Sequence, residues 1–190
     1  TQLKVRQQKA LMPDKPFFMY FAPGATHAPH HVPAEWSEKY RGRFDEGWDA
    51  LREKIFAEQK QLGVIPQDAE LTPRHDEIPA WDDMADELKP VLARQMEIYA
   101  GFLEQTDEEI GRVIDAIDHL GVLEDTLIYY IIGDNGASAE GTPNGCFNEM
   151  AVLNGMPGIE TTEFLLSKID DFGTPNAYNH YAVGWAHALC

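Results

Sequence analysis

The stretch on which the predicted fold rests is Thr126-Leu-Ile-Tyr-Tyr-Ile-Ile-Gly-Asp-Asn-Gly136. Its first seven residues are apolar, aromatic or β-branched, which is typical of a strand buried on both faces in an α/β sheet. Asp134 and Asn135 follow between two glycines. Since ligands bind beyond the carboxyl ends of strands in such sheets, both side chains are predicted to lie at a binding site. Their carboxylate and amide oxygens suit calcium or magnesium rather than zinc.

An ordinary tight turn is the competing interpretation of Gly133-Asp-Asn-Gly136, because Asn and Gly tolerate positive φ. On these four residues alone the turn is the commoner case. Two oxygens also fall short of a calcium shell, which needs about 6–8 ligands. A metal site at Asp134 and Asn135 therefore requires further donors from elsewhere.

The composition is that of a globular protein and limits the classes of partner. The 190 residues are 44% hydrophobic and 25% charged, with a formal net charge of −17. Such an acidic chain is a poor partner for a nucleic-acid backbone. We find no apolar run of membrane-spanning length and no signal peptide. Because the chain starts at Thr1 and stops at Cys190, we expect it to be a piece of a longer protein, and its localisation stays open.

A second apolar run at residues 16–22, Pro-Phe-Phe-Met-Tyr-Phe-Ala, predicts another core strand. The loop at 23–33 follows it and contains three prolines, which exclude a regular helix. The same loop contains His27, His30 and His31. If both strands belong to one sheet, this loop and the Asp134–Asn135 turn share one rim.

Helical spacing dominates the rest of the chain. Apolar residues from Leu88 to Leu120 recur every three or four positions and predict a long scaffold helix packed on a sheet. Shorter helices are predicted at 34–40, 48–62 and 161–171. Irregular structure is predicted at 64–81, 137–158 and 172–190. A strand, a helix and a second strand in this order indicate an α/β fold.

Several of these segments together resemble the type I, formylglycine-dependent sulfatases, and among them bacterial arylsulfatases. They are Phe17-Phe-Met-Tyr-Phe-Ala-Pro-Gly-Ala-Thr-His-Ala-Pro-His-His-Val-Pro33, Lys39-Tyr-Arg-Gly-Arg-Phe-Asp-Glu-Gly-Trp48, Gly133-Asp-Asn-Gly136 and Tyr178-Asn-His-Tyr-Ala-Val-Gly-Trp-Ala-His187. The resemblance covers nearly the whole chain. It implies an alkaline-phosphatase-like α/β/α sandwich, a mixed sheet flanked by helices, that is incomplete in this chain. It also implies hydrolysis of small-molecule sulfate esters.

The resemblance implies roles for three residues. Asp134 and Asn135 match the pair that helps to hold a calcium ion, which is preferred here over Mg²⁺. Asn135 also favours a sulfatase over the related phosphodiester and phosphonate monoester hydrolases, which tend to have His at this position. His27 matches the histidine that contacts the sulfate ester and protonates the departing oxygen, a task that suits imidazole.

Other residues match no site that the resemblance supports. A zinc site of His27, His30 and His31 is disfavoured because no supporting spacing is present. His180 and His187 are only weak candidates for lining the pocket. Asp82-Asp83 does not follow a predicted strand and is interpreted as a helix start rather than as an acidic metal pair.

The nucleophile that the resemblance implies is not in this chain. Formylglycine forms from the Cys or Ser of a Cys/Ser-x-Pro/Ala-x-Arg signature, and neither Cys146 nor Cys190 lies in one. We therefore expect residues 1–190 to form one partial catalytic domain that lacks the N-terminal nucleophile region and a C-terminal part. The isolated chain is predicted to be inactive and to need the rest of its domain as a partner. The alternatives are a phosphodiester or phosphonate monoester hydrolase, or a non-catalytic fragment or pseudoenzyme.

Overall fold

The structure is a computed structural model that describes residues 2–133 and 136–190, and the regular elements in these ranges are helices. The α-helices are α1 (Gln2–Leu11), α2 (Ala34–Ser37), α3 (Gly47–Leu62), α4 (Lys89–Asp118), α5 (Glu149–Leu153), α6 (Thr162–Ser167) and α7 (Val183–Leu189). Short 3-10 helices occur at Glu38–Tyr40, Trp81–Asp83, Leu123–Asp125 and Pro157–Ile159. Among the helices described, none has both the length and the apolar character needed to cross a bilayer.

The long scaffold helix is confirmed as α4, which has 30 residues. Pro90 lies in its first turn, where its missing N–H has no intrahelical partner to lose. Every residue from Val91 to Ile98 is buried. Helices α1 and α2 pack against α4, as do the 3-10 helices at Glu38–Tyr40 and Leu123–Asp125.

A tryptophan cluster joins α3, α7 and the 3-10 helix at Trp81–Asp83. The ring of Trp48 lies edge-on to Trp81 at 4.8 Å and to Trp185 at 5.5 Å between centroids. All three rings are buried, and Phe44 contacts Trp185 edge-on at 5.7 Å. Aromatic rings prefer such edge-to-face contacts, and each large ring buries much apolar area. This cluster is the centre of the hydrophobic core.

The shorter predicted helices are largely confirmed. The segment 34–40 is helical, and α3 ends at Gly63 with φ 71°, a left-handed cap that favours glycine. Helix α6 begins at the predicted Thr161 cap, whose hydroxyl accepts a hydrogen bond from the Phe164 N–H. Asp82 and Asp83 lie in a short 3-10 helix, as their assignment to a helix start suggests.

Two predictions of irregular structure were wrong. Helix α5 lies within the predicted loop 137–158, and α7 within the predicted loop 172–190. They have 5 and 7 residues. Helices of two turns or fewer show too few periodic positions to be recognised, and tertiary packing supplies most of their stability.

The predicted strands at 16–22 and 126–132 do not form in the part of the chain that the structure describes. Both segments lack regular structure, and the predicted burial is reversed: Phe18 is 92% exposed and Ile131 is 86% exposed. A strand satisfies its backbone N–H and C=O groups only by pairing with a neighbour. Residues 2–133 and 136–190 form only isolated bridges, Cys146 with His180 and Asn148 with Tyr178. The mixed sheet of the expected α/β/α sandwich is therefore not confirmed.

Two glycines of α4 provide a matched test of this packing. A Cβ at Gly101 would lie 2.8 Å from the Ser37 backbone N, whereas a Cβ at Gly111 would meet nothing within 4 Å. We expect Gly101→Ala to lower the free energy of unfolding by about 1–2 kcal/mol, because the α2 backbone must move away. Gly111→Ala should raise it by up to about 1 kcal/mol, because alanine is the better helix former. Urea denaturation of both variants measures these differences, and a Gly101→Ala variant as stable as Gly111→Ala would show that α2 does not pack on α4 in this way.

Candidate functional site

Of the three predicted site residues, the structure describes only His27. Asp134 and Asn135 lie outside the described residues. The His27 side chain is exposed, and its Nδ1 lies 2.7 Å from the Ala28 carbonyl oxygen. Since a carbonyl only accepts, Nδ1 carries the hydrogen and donates it. Nε2 has no partner among the residues that the structure describes, which leaves it free to contact a ligand.

The loop that contains His27 is anchored on the segment before α7. The backbone N–H of His30 donates to the Asn179 carbonyl at 3.2 Å, and that of Val32 donates to the Gly173 carbonyl at 3.0 Å. The His31 ring donates from Nε2 to the Ala177 carbonyl at 2.6 Å. These bonds place the loop without any contribution from a sheet.

His180 connects this loop to the residues that follow the predicted Asp134–Asn135 turn. Its ring centroid lies 4.9 Å from that of His30, and its Nε2 lies 3.3 Å from the Ser138 hydroxyl. The sequence predicted that the two loops share one rim of a sheet. In the described residues, the buried His180 contacts both the His30 ring and the Ser138 hydroxyl.

Helix α4 holds the segments on either side of His180 through one side chain. Gln95 is fully buried; its Oε1 accepts a hydrogen bond from the Ala182 N–H, and its Nε2 donates to the Asn144 carbonyl, each at 3.0 Å. A buried amide with both ends satisfied orients its partners, since losing either bond would leave a buried polar group unpaired.

Sequence reasoning missed a second group of side chains beside His180. Glu140, Glu149 and His180 each offer a ligand atom, and these atoms all lie within 4.8 Å of one another. The backbone of Cys146 and His180 exchanges N–H···O=C bonds in both directions, at 3.0 and 3.1 Å, and brings the two distant segments together. No regular spacing links positions 140, 149 and 180, so the sequence contained no signal for this group.

The thiol of Cys146 is poorly suited to act as a nucleophile in this arrangement. Burial, together with the charge of Glu160, raises the pKa of the Cys146 thiol to about 12, so the thiol stays protonated. Cys190 is exposed, and its Sγ lies 3.3 Å from the Ala137 backbone N. For Cys146 this agrees with the sequence that follows it, Phe-Asn-Glu-Met, which is not the formylglycine signature.

A surface pocket of about 370 Å³ lies elsewhere, between α6 and the segment before α7. It is lined by Phe147, Phe164, Pro175 and Tyr178 among others, and by Glu160, but by none of the predicted site residues described here. Glu160 accepts hydrogen bonds from the Phe147 and Asn148 N–H groups, each at 2.8 Å. Its carboxylate therefore has a structural role in holding the loop.

Comparison with known proteins identifies the family. The profile described as Sulfatase matches residues 4–180, which is most of the chain. The chain belongs to the sulfatase family. It is 34% identical to an uncharacterized sulfatase of Schizosaccharomyces pombe, with 98% of this chain and 31% of that protein aligned. It is also 28% identical to an arylsulfatase of Klebsiella aerogenes, over 68% of this chain and 28% of that protein.

This sulfatase chain spans about a third of the length of the curated relatives that it matches. The family assignment confirms the resemblance inferred from the sequence motifs and agrees with a partial domain. The matched range includes His27, Asp134, Asn135 and His180.

The buried ring of His30 makes the stability of this region dependent on pH. Burial, together with the nearby His180, His27 and His31, lowers the pKa of His30 from 6.5 to about 3. Below pH 6.5 this ring therefore binds a proton in the unfolded state but not in the folded state. The free energy of unfolding is highest above pH 6.5 and falls as the pH is lowered. At pH 5 this one group should cost about 2 kcal/mol of unfolding free energy.

We expect His30→Phe to reduce the loss of stability between pH 7 and pH 5 by about this amount, because the aromatic packing is kept and the titrating group is removed. Urea denaturation at both pH values measures the loss. The exposed His119, changed to Gln, is the control and should leave the loss unchanged. An equal loss in wild type and His30→Phe would contradict the assignment of a neutral buried ring.

Proposed function

We propose that the full-length protein hydrolyses sulfate esters by calcium-assisted attack of a formylglycine nucleophile located outside this chain. The observation that supports this most is the family match across residues 4–180, which includes both the Gly133-Asp-Asn-Gly136 motif and the His27 loop. The substrate is proposed to be a small-molecule sulfate ester of the aryl type, in line with the name of the Klebsiella aerogenes relative.

The donor chemistry of Asp134 and Asn135 fits a calcium ion, since both provide hard oxygen ligands. When bound, the ion would offset the negative charge of the sulfate and polarise its S–O bonds. The two residues provide only part of a calcium shell, and the remaining donors are proposed to come from other parts of the same domain. With an amide at position 135, the site carries one negative charge fewer than it would with a second carboxylate.

His27 is proposed to protonate the departing oxygen of the ester. Its exposed ring donates from Nδ1 to the Ala28 carbonyl, so the ring orientation is held. The proposed acid is the imidazolium form of His27, which gives its Nε2 proton to the departing oxygen and keeps the Nδ1 hydrogen. The hydrogen bonds that anchor residues 30–32 keep the loop in place without using His27 itself. The catalytic histidine is thus proposed to lie on a loop that is positioned by its neighbours.

Residues 1–190 are proposed to form part of one catalytic domain, with the rest of that domain as their partner. Two observations favour this: the chain covers about a third of its relatives, and the apolar segments 16–22 and 126–132 are exposed in this structure. Strands from the remaining domain would pair with both segments and complete the α/β/α sandwich. The isolated chain is accordingly proposed to be inactive.

The proposed chemistry is tested by turnover of an aryl sulfate by the full-length protein. We expect activity that a calcium chelator abolishes and that added Ca²⁺ restores. His27→Ala should lower kcat by about 10²–10⁴, the usual contribution of a positioned general acid. Asp134→Ala should raise the Ca²⁺ concentration needed for activity, because one hard ligand is lost. The exposed His75, changed to Ala, is the matched control and should be fully active.

Two results would reject the proposal in different ways. Faster turnover of an aryl phosphodiester or phosphonate monoester than of the aryl sulfate would assign the protein to the related hydrolases. Absence of any turnover by full-length protein that carries the Cys/Ser-x-Pro/Ala-x-Arg signature and its formylglycine would indicate a non-catalytic member.

A further inference from the structure

The group formed by Glu140, Glu149 and His180 has the composition of a metal site that differs from the proposed calcium site. One nitrogen and two carboxylate oxygens lie within 4.8 Å of one another. Glu149 is only 3% exposed and His180 only 2% exposed, while Glu140 lies at the surface. The group thus has a buried inner side and one side open to solvent.

The backbone around the group is arranged to bring these side chains together. The Glu149 N–H donates to the Tyr178 carbonyl at 2.8 Å, two residues before His180. Gly141, next to Glu140, lies so close to His180 that an added Cβ would be 2.6 Å from the His180 Nδ1. Only glycine permits this approach, which places Glu140 beside the imidazole ring.

The tautomer of His180 leaves a lone pair on Nε2, the nitrogen that lies near Ser138. Its Nδ1 lies 3.0 Å from the Tyr181 carbonyl oxygen, which only accepts, so Nδ1 carries the hydrogen in the neutral ring. Nε2 is then an acceptor that lies 3.3 Å from the Ser138 hydroxyl. Metal-binding histidines commonly donate their second N–H to a backbone carbonyl in this way.

Few hydrogen-bond donors of the described residues face these three side chains. The Ser138 hydroxyl has one hydrogen, and the carboxylate of Glu140 lies closer to it, at 2.9 Å, than His180 does. Glu149 forms no side-chain hydrogen bond or ion pair with any residue in the described ranges. Among the described residues, these three side chains therefore share the one hydrogen of Ser138, and the carboxylate of Glu149, which is only 3% exposed, has no protein donor. Buried charges in proteins are normally paired or bound to a metal.

We propose that Glu140, Glu149 and His180 bind a divalent transition-metal ion, with Zn²⁺ as the best match. Imidazole nitrogen suits zinc and disfavours calcium, and two carboxylates balance the charge of a divalent ion. Ligand atoms about 2.1 Å from a tetrahedral zinc lie roughly 3.4 Å apart. The atoms within 4.8 Å would therefore need to move inward slightly, which the exposed Glu140 is free to do. The fourth position is left for water or an external ligand.

Cobalt(II) reports directly on such a site, because it replaces zinc and absorbs strongly in the visible when four-coordinate. We would titrate the full-length, chelator-treated protein with Co²⁺ in saturating Ca²⁺, so that the calcium site is filled. The expected result is one equivalent of four-coordinate Co²⁺ that Zn²⁺ displaces. Glu149→Gln, His180→Gln and Glu140→Gln should each weaken binding at least about tenfold, since each removes one of three ligands.

Matched controls distinguish loss of this metal site from loss of the folded structure and from loss of the proposed sulfatase activity. Glu163→Gln and His119→Gln change exposed residues of the same types and should bind Co²⁺ as wild type does. Asp134→Ala should also keep Co²⁺ binding while it alters the Ca²⁺ requirement, so the two proposals can fail independently. Because Glu140 is exposed, Glu140→Gln tests the site even if a buried variant does not fold.

The proposal is overturned if the protein gives only the weak spectrum of six-coordinate Co²⁺, or if the three ligand variants bind Co²⁺ as well as wild type. Either result would show that Glu140, Glu149 and His180 do not form a metal site.

Discussion

The first half of α4 is the element on which the described structure depends. Eight consecutive residues, Val91 to Ile98, are buried, so this part of the helix has no solvent-facing side. A helix buried all round is usually apolar, yet this one contains Arg94, Gln95 and Glu97. Each of these polar side chains must therefore find partners within the protein, and those partners are the segments that surround the helix.

The charged pair on α4 holds the segment that follows the His27 loop. Arg94 bonds to Glu97 at 2.9 Å and reaches Glu38 at 3.1 Å, while Glu97 accepts the Gly42 N–H at 2.7 Å. Removing one member of such a buried pair typically costs about 3–5 kcal/mol, because the other charge is left without compensation. The network thus specifies how residues 37–42 lie on α4, directly after α2, which follows the loop that contains His27.

On the opposite side, α4 supports the segments around His180. Gln95 bonds to residues 144 and 182, and the Trp185 indole N–H donates to the Leu92 carbonyl at 2.8 Å. His180 lies between these attachments and contacts both His30 and Ser138. The region of His27 and the group of Glu140, Glu149 and His180 are therefore supported by one rigid helix, and His180 is the residue that connects them.

The sequence by itself determined the long helices, the family and the candidate catalytic residues. The spacing of Leu88 to Leu120 depends only on the helical repeat, and a cap such as Thr161 acts within one turn, so local chemistry was sufficient. The family motifs are likewise contiguous runs of sequence, which is why His27, Asp134 and Asn135 could be predicted as site residues without a structure. The local sequence was not sufficient to predict the structure of segments 16–22 and 126–132, because a strand forms only when another strand pairs with it. Only the tertiary structure brought Glu140, Glu149 and His180 together, since backbone bonds between Cys146 and His180 join segments more than thirty residues apart. No local sequence pattern indicates that contact, because the contact depends on how both segments pack against Gln95 of α4.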